Sequence, residues 1–185
     1  MWVWLVLLGV LVYIIFQYNA LVVAQQRVKN GWAQVDVQIK RRYDLVPNLV
    51  ETVKGYAHHE QDTLQNVTDA RITALRSKGL TSQVKAEEEF GSTLRSLFAV
   101  AENYPELKAD ANFRKLQEQL ADVEGKIAYA RQFYNDTVQK YNIRTAIFPS
   151  SIIAKLFGFG PMPFYSLGEE GEERQNVTID FSRKS

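Results

Sequence analysis

The sequence predicts an all-α protein in which an N-terminal transmembrane helix is followed by an elongated antiparallel bundle of about four helices. Three observations support this fold class. The first 16 residues contain no charged side chain. Beyond them, apolar residues recur at steps of three and four, which is the spacing of one helix face. Several of the 10 glycines and 5 prolines lie after Phe148, which favours long helices before that residue.

Residues 1–24 are predicted to form a membrane anchor. At 1.5 Å per residue, about 20 apolar residues cross a hydrocarbon core of roughly 30 Å, and the first charged residue is Arg27. The alternative, a cleaved signal peptide, would carry a basic residue ahead of the apolar stretch, and none is present there. The residues predicted to contact lipid are Trp2, Trp4, Leu5, Leu8, Leu11, Ile14 and Phe16.

The distribution of basic residues predicts the orientation of the anchor. Arg27, Lys29 and the basic run 40–42 follow the span, and no basic residue precedes it. Because cytoplasmic flanks carry an excess of lysine and arginine, the bundle is predicted to be cytoplasmic and the N-terminus to be outside. The chain is therefore expected to be a single-pass protein of the cytoplasmic membrane.

Composition excludes several functional classes. Lys+Arg 22 against Asp+Glu 21 gives a net charge of +1, so electrostatics provide no reason to expect a nucleic-acid partner. Cysteine is absent, which removes thiolate nucleophiles and cysteine metal ligands. His58, His59 and Glu60 form the one metal-like cluster, but adjacent histidines point about 100° apart on a helix. We therefore expect no metal and no cofactor.

Residues 25–146 are predicted to form the bundle. Only Gly31 interrupts the helical pattern between the span and residue 43, so the span and the first bundle helix are expected to form one rod. A second helix is expected to begin after Asp44, with Pro47 in its first turn. Short connections then favour an up-down-up-down arrangement. The expected boundaries of the later helices are residues 77–79, Thr81 or Ser82, Pro105 and Asp110.

The last helix of the bundle has the most regular apolar pattern, and polar residues lie on or beside it. The pattern indicates a seam that packs on another helix at a shallow angle, as in a bundle or coiled coil. The polar residues are predicted to form buried hydrogen-bonded layers that fix helix register. The seam comprises Phe113, Leu116, Leu120, Val123, Ile127, Ala130, Tyr134 and Tyr141, and the polar set comprises Arg131, Tyr134, Asn135, Tyr141, Asn142, Asn19 and Gln34.

A basic run predicts a candidate interaction pole at the end of the bundle farthest from the membrane. Residues 40–44 are expected to join the first two helices there, with Tyr104 near the same end. In the alternative, which we favour, the arginines cap one helix C-terminus and the polar residues cap the next N-terminus. The candidate pole consists of Lys40, Arg41, Arg42, Tyr43, Asp44, Asn48 and Tyr104.

Residues 147–167 are rich in aromatic residues, proline and glycine. A turn is expected near Pro149, followed by a short apolar helix face, and residues 158–167 cannot form a regular helix. We expect this segment to pack on the side of the bundle; a partner surface or the membrane face is the alternative. Residues 168–185 are polar, and we expect them to be disordered.

Several stretches of the chain closely resemble the signature of the LemA family of bacterial proteins. They are residues 32–38, 40–57, 97–105, 127–135, 148–150 and 157–159. The resemblance covers about residues 17–165 and implies an antiparallel helical bundle behind one membrane span, with the domain on the cytoplasmic side. It implies no established catalytic activity.

Together these features predict a membrane-anchored interaction or scaffold protein that is not an enzyme. No Ser/His/Asp set, carboxylate dyad or phosphate loop is recognisable. The expected partners are the bilayer, through residues 1–24, and unidentified proteins, and an exposed apolar stripe permits a homo-oligomer. The alternative is a sensor that binds a ligand in the bundle and signals by a change of helix register, with Gln34 as a buried seam residue. A third class is a hydrolase or transferase that acts through Asp44 or Glu102.

Overall fold

The structure is a computed structural model, and it describes residues 2–166. All regular secondary structure in this range is helical, which confirms the predicted all-α fold class. The helices are α1 (Trp2–Lys54), α2 (Gln61–Arg76), α3 (Leu80–Ala101), α4 (Pro105–Ala109), α5 (Ala111–Ala146) and α6 (Ser150–Leu156).

Helix α1 combines the apolar N-terminal segment and the first bundle helix in one element of 53 residues, as predicted. At 1.5 Å per residue it is about 80 Å long. Its buried positions begin at Leu21, and eight of the ten repeat every seven residues in two rows, a spacing that keeps one stripe facing a helical neighbour. One row is Leu21, Val28, Val35, Arg42 and Leu49, and the other is Ile39, Val46 and Val53.

Helix α5 packs antiparallel along α1 and forms the main helix pair. Near the start of α5, the Tyr56 hydroxyl donates to Asp110 Oδ2 at 3.0 Å, and near its end Arg144 Nη1 donates to the Ala20 carbonyl at 3.2 Å. All eight residues of the predicted α5 seam are buried. Helices α2 and α3 pair with each other and cover the half of α1 that lies farther from residue 2.

The predicted start of a second helix at Asp44 is wrong, because α1 continues through Pro47 to Lys54. Proline lacks the N–H that would bond to the carbonyl four residues earlier, here that of Tyr43. Arg71 replaces the missing donor, since its Nε donates to the Tyr43 carbonyl at 2.7 Å. The hydrogen bond from α2 therefore compensates for the proline inside α1.

The chain reverses at residues 55–60, so the stretch predicted as one helix near 45–77 is divided there. Helix α2 ends at Arg76, at the predicted boundary. Helix α3 begins at Leu80 after Gly79, whose φ of 87° suits glycine, so the predicted caps Thr81 and Ser82 are wrong. Asp110 caps α5 as predicted, because its Oδ1 accepts from the Phe113 N–H at 2.8 Å.

After α5 the chain returns along the bundle. Helix α6 packs Ile153 and Ala154 beside Leu21, and the ring of Tyr18 lies 4.9 Å from that of Phe157, centroid to centroid. Residues 159–166 then run as an extended segment along α5. The predicted disordered tail, residues 168–185, lies outside the described residues.

Candidate functional site

The first part of α1 presents apolar side chains that nothing else in the described chain covers. Trp2 is 83% exposed, Trp4 76% and Phe16 69%, and Leu5, Leu8 and Leu11 are also exposed. Ile14 is partly buried beside Leu21. Within residues 2–166, α1 is the one helix long and apolar enough to cross a membrane. A continuous apolar surface of this size is characteristic of a site that contacts lipid or another protein.

The residues of the predicted interaction pole are not brought together. Lys40, Arg41, Asp44 and Asn48 are exposed on α1, about three turns before its end, whereas Arg42 and Tyr43 are buried. Tyr104 lies at the far end of the bundle, where its hydroxyl donates to Glu60 Oε1 at 3.4 Å. The predicted position of the pole is wrong because α1 does not end near Asp44 but continues through Pro47 to Lys54. Whether its exposed residues bind a partner stays a prediction.

A buried charged cluster joins α1, α3 and α5 at the level of Arg42. The Arg42 guanidinium donates to the carboxylates of Glu87 and Glu124, and the Tyr43 hydroxyl also donates to Glu87. Arg131 Nη2 approaches Glu87 Oε2 at 3.5 Å. The Glu87 side chain is 0% exposed. A single carboxylate therefore links three helices.

Burial and charge act in opposite directions on this cluster. Burial acts to lower the pKa of Arg42, but the carboxylates of Glu87 and Glu124 outweigh burial and raise it, so Arg42 is cationic. Burial and the hydrogen bond to Glu87 raise the pKa of Tyr43, so its phenol remains protonated and donates. The sequence signal for this cluster is a charged residue, Arg42, at a position of the seven-residue apolar repeat.

A cleft of about 520 Å³ lies beside the cluster, between α3 and α5. Its charged lining is balanced, with three arginines and three glutamates, so it offers no excess charge to attract an ion. Within residues 2–166, the Nε groups of Arg42 and Arg131 are buried without a hydrogen-bond partner. The cluster can hold three helices in register. The lining comprises Arg42, Arg95, Arg131, Glu87, Glu88, Glu124, Gly91, Leu94, Phe98, Gln117, Leu120 and Ala121.

Four of the polar residues along α5 bond to the main chain of the extended segment and not to other helices, whereas Arg131 approaches Glu87 on α3 and so contacts another helix as predicted. Tyr134, Asn135, Tyr141 and Asn142 all bond to backbone groups of residues 160–165. Asn19 and Gln34 are exposed, so their predicted burial in the seam is wrong. The segment lacks a periodic pattern, which is why sequence reasoning did not pair it with these side chains.

His58 and His59 lie exposed in the turn between α1 and α2. In the part of the chain that the structure describes, no group of three or more His, Cys, Asp or Glu side chains is placed to hold a metal ion.

Comparison with known proteins gives one family and several relatives. The chain matches the sequence profile of the LemA family over residues 31–181, so the apolar N-terminal part of α1 lies outside the match. It is 23% identical over 178 residues to magnetosome protein MamQ of Magnetospirillum gryphiswaldense, covering 82% of this chain and 65% of that protein. It is 22% identical over 185 residues to magnetosome protein MamQ 2 of Paramagnetospirillum magneticum, with coverages of 86% and 68%. It is 23% identical over 170 residues to protein LemA of Metamycoplasma hominis, with coverages of 89% and 74%. The chain thus spans about two thirds of the length of the MamQ proteins that it matches.

Proposed function

This chain belongs to the LemA family, and from that premise we propose that it is a single-pass membrane protein whose helical rod binds other proteins. The observation that carries the proposal is the contrast between the two parts of α1. Its first turns expose apolar side chains all around the helix, whereas one stripe from Leu21 onward is buried against α5. A helix that is apolar on all sides suits a lipid environment.

Side chains near the base of the bundle support the same arrangement. Ile143, Phe148, Ile152 and Leu156 are exposed apolar residues at the end of α5 and in or before α6. This end of α5 lies beside Ala20, near the end of the apolar part of α1. Aromatic and aliphatic side chains at this height fit the interfacial layer of a bilayer. We therefore place the base of the rod at the membrane surface.

The basic residues that follow the span favour a cytoplasmic rod with the N-terminus outside. In this orientation the partners are cytoplasmic or inner-leaflet proteins. Because α1 is continuous, the rod and the anchor share one rigid element, which suits a protein that holds partners at a set distance from the bilayer. No catalytic activity is part of the proposal.

In-cell photo-crosslinking tests the interaction. Arg41, Asp44 and Asn48 are exposed at three- and four-residue steps, so they share one face of α1. A photoreactive residue would replace each of them in the full chain, and Lys85 and Ser92 on α3 serve as matched exposed positions. We expect adducts with a discrete protein from the α1 face, and their loss when Leu8→Arg and Leu11→Arg disrupt the anchor. Equal adducts from both faces, or none from α1, would contradict the proposal.

A membrane-linked ligand sensor is the second candidate, and one observation favours it. A groove of about 740 Å³ lies between α1 and α5, and it is lined mainly by small and apolar residues. Gln38 also lines it, and within residues 2–166 its buried Oε1 has no hydrogen-bond donor. A small molecule with an N–H or O–H group would satisfy that oxygen. The exposed position of Gln34 gives no support to a switch of helix register.

Thermal-shift measurements on the full chain separate the two candidates. A sensor predicts that at least one compound of a broad panel raises the unfolding temperature, and that Gln38→Leu abolishes the shift. Gln34→Leu, which changes an exposed residue of the same groove, provides the control. No shift across the panel would leave the interaction protein as the proposed function.

A further inference from the structure

Two asparagine side chains on α5 form paired hydrogen bonds with the main chain of the extended segment. Asn142 Nδ2 donates to the Met162 carbonyl at 2.9 Å, and the Met162 N–H donates to Asn142 Oδ1 at 2.8 Å. Asn135 makes the same pair of bonds with Tyr165, at 2.9 and 2.8 Å. Each carboxamide thus forms the two hydrogen bonds that a neighbouring β-strand would form.

The spacing of these contacts fits an extended chain. Asn135 and Asn142 are seven residues apart on α5, or about 10.5 Å along the helix axis. Met162 and Tyr165 are three residues apart, and an extended chain covers about 10 Å over three residues. The two carboxamides therefore lie in register with every third residue of an extended polypeptide that runs antiparallel to α5.

Two tyrosines on α5 extend this row of hydrogen bonds to main-chain atoms of the segment. The Tyr134 hydroxyl donates to the Pro163 carbonyl at 2.9 Å, and the Tyr141 hydroxyl donates to the Gly160 carbonyl at 3.0 Å. All six hydrogen bonds from this row end on backbone groups of the segment. Bonds of this kind do not depend on the side chains of the bound polypeptide and apply to any extended chain.

Side-chain selectivity comes from one end of the segment. Tyr165 is 5% exposed, and its ring lies 4.6 Å from the guanidinium carbon of Arg131 and 6.2 Å from the Trp32 ring. Cation–π and aromatic contacts of this kind favour an aromatic residue at that position. Arg131 also approaches Glu87, so the bound tyrosine is linked to the charged cluster.

Most of the segment between these contacts faces solvent. Gly160, Pro161, Pro163 and Phe164 are exposed. The segment is therefore held mainly by the six hydrogen bonds and by its few buried side chains. Local release of such a segment requires much less free energy than separation of α1 from α5, because few apolar contacts are lost.

We propose that the α5 face formed by Tyr134, Asn135, Tyr141 and Asn142, here called the α5 groove, is a binding site for extended polypeptide, and that residues 159–166 of a second copy occupy it in a dimer. Within one chain, residues 159–166 occupy this site. They are therefore the polypeptide for which the contacts with the groove are observed. The choice of a second copy rests on the proposed membrane anchor. Anchored copies stand parallel, so each groove lies at the same height above the bilayer as its neighbour's segment.

A complementation experiment tests the exchange. In the groove variant, Asn135→Ala and Asn142→Ala remove the carboxamides. In the segment variant, Met162→Pro removes one N–H and Tyr165→Ala removes the anchor ring. Full-length chains carry Lys78→Cys for fluorescent labelling, because the native chain has no cysteine. Energy transfer between copies in phospholipid vesicles measures association, and Gln139→Ala on the exposed face of α5 is the control.

Wild-type and control chains should associate equally, and each variant alone should associate at least about tenfold more weakly. The loss of several hydrogen bonds to the main chain accounts for that factor. A mixture of the two variants should recover part of the association, because one intact groove meets one intact segment. A mixture that associates no better than either variant alone would overturn the proposal.

Two further measurements keep the test decisive if a variant unfolds or the anchor fails. An excess of a synthetic peptide of residues 158–166 should weaken the association of wild-type chains. If this peptide binds the segment variant while wild-type chains do not associate, the groove takes another protein's peptide and the second-copy proposal is wrong. Flotation of the same vesicles reports separately whether the chain is anchored, so failure of the proposed function is distinguishable from failure of the exchange.

Discussion

Arg71 Nε donates a hydrogen bond of 2.7 Å to the main-chain oxygen of Tyr43, and this bond links α2 to the last third of α1. The carbonyl of Tyr43 lacks its usual partner because residue 47 is proline. The guanidinium thus supplies from another helix the donor that the backbone of α1 cannot provide. The bond thereby satisfies a carbonyl that Pro47 leaves without its backbone donor, inside a helix that continues to Lys54.

A double-mutant cycle measures that compensation. We expect Arg71→Met to lower the free energy of unfolding by roughly 1–3 kcal/mol, because it leaves the Tyr43 carbonyl without a donor. In a Pro47→Ala background the restored backbone N–H should reduce this loss to a small fraction. Urea unfolding of the four full-length chains in detergent, followed by circular dichroism, provides the measurement. Equal losses in both backgrounds would show that Arg71 acts through other contacts.

Removal of the Glu87 charge should strongly destabilise the bundle. Within residues 2–166, Glu87→Gln leaves the buried Arg42 with Glu124 as its one remaining carboxylate partner, and breaking a buried ion pair costs about 3 kcal/mol. Glu88→Gln changes an exposed neighbour and should alter stability by less than about 0.5 kcal/mol. Comparison of the two urea midpoints checks this. Similar midpoints would contradict a structural role for the cluster.

Asp110 should make the start of α5 sensitive to acid. The hydrogen bond from the Phe113 N–H, with a further one from the Tyr56 hydroxyl, lowers the pKa of Asp110. A lowered pKa in the folded state gives stability that is present above the ordinary carboxyl pKa and is lost as pH falls through the lowered value. Asp110→Asn keeps a good capping residue without the charge.

Thermal unfolding of wild type and Asp110→Asn between neutral and acidic pH measures this effect. We expect wild type to be the more stable at neutral pH and the two chains to converge as pH falls below the ordinary carboxyl value. Asp110→Ala should be less stable than Asp110→Asn throughout, because it lacks the cap. A difference between wild type and Asp110→Asn that does not change with pH would refute the pKa argument.

Arginine in the apolar part of α1 should prevent membrane integration. Leu8→Arg and Leu11→Arg each place a charge where the hydrocarbon core is expected, at a cost of about 2.5–3.5 kcal/mol per residue. Val37→Arg alters an exposed apolar residue of the bundle part of α1 and should leave integration unchanged. The fraction of chain that resists alkaline extraction from membranes reports integration. Loss of integration in Val37→Arg, or normal integration of a chain that carries both Leu8→Arg and Leu11→Arg, would contradict the proposal that this part of α1 is a membrane anchor.

The elements that the sequence predicts best are those whose pattern is local and regular. The α5 seam follows from its steps of three and four, and the continuity of α1 from the near absence of breakers before residue 43. Asp110 was predicted as a cap because its carboxylate reaches an amide only three residues away. In each case the interaction partner lies nearby in the sequence or in the same repeat.

The features that sequence reasoning missed depend on distant partners. In the sequence, Pro47 indicates the first turn of a helix. In the fold, Arg71 donates to the Tyr43 carbonyl, so the proline is accommodated inside α1. In the sequence, Arg42 indicates a cap at the end of a helix. In the fold, it is buried beside Glu87, which lies 45 residues later in the chain. Asn135 and Asn142 lie two turns apart on one face, which is a signal for contact with a regular partner, but the partner is a backbone without a sequence pattern.

The most direct test of the central claim, an anchored chain with a cytoplasmic rod, is the labelling of one cysteine in intact cells. Lys78→Cys places a thiol on the exposed turn between α2 and α3 of a chain that has no other cysteine. A membrane-impermeant maleimide should label it only after lysis, with the protein in the membrane fraction. Labelling in intact cells would contradict the cytoplasmic orientation, and a soluble, shortened protein would contradict the anchor itself.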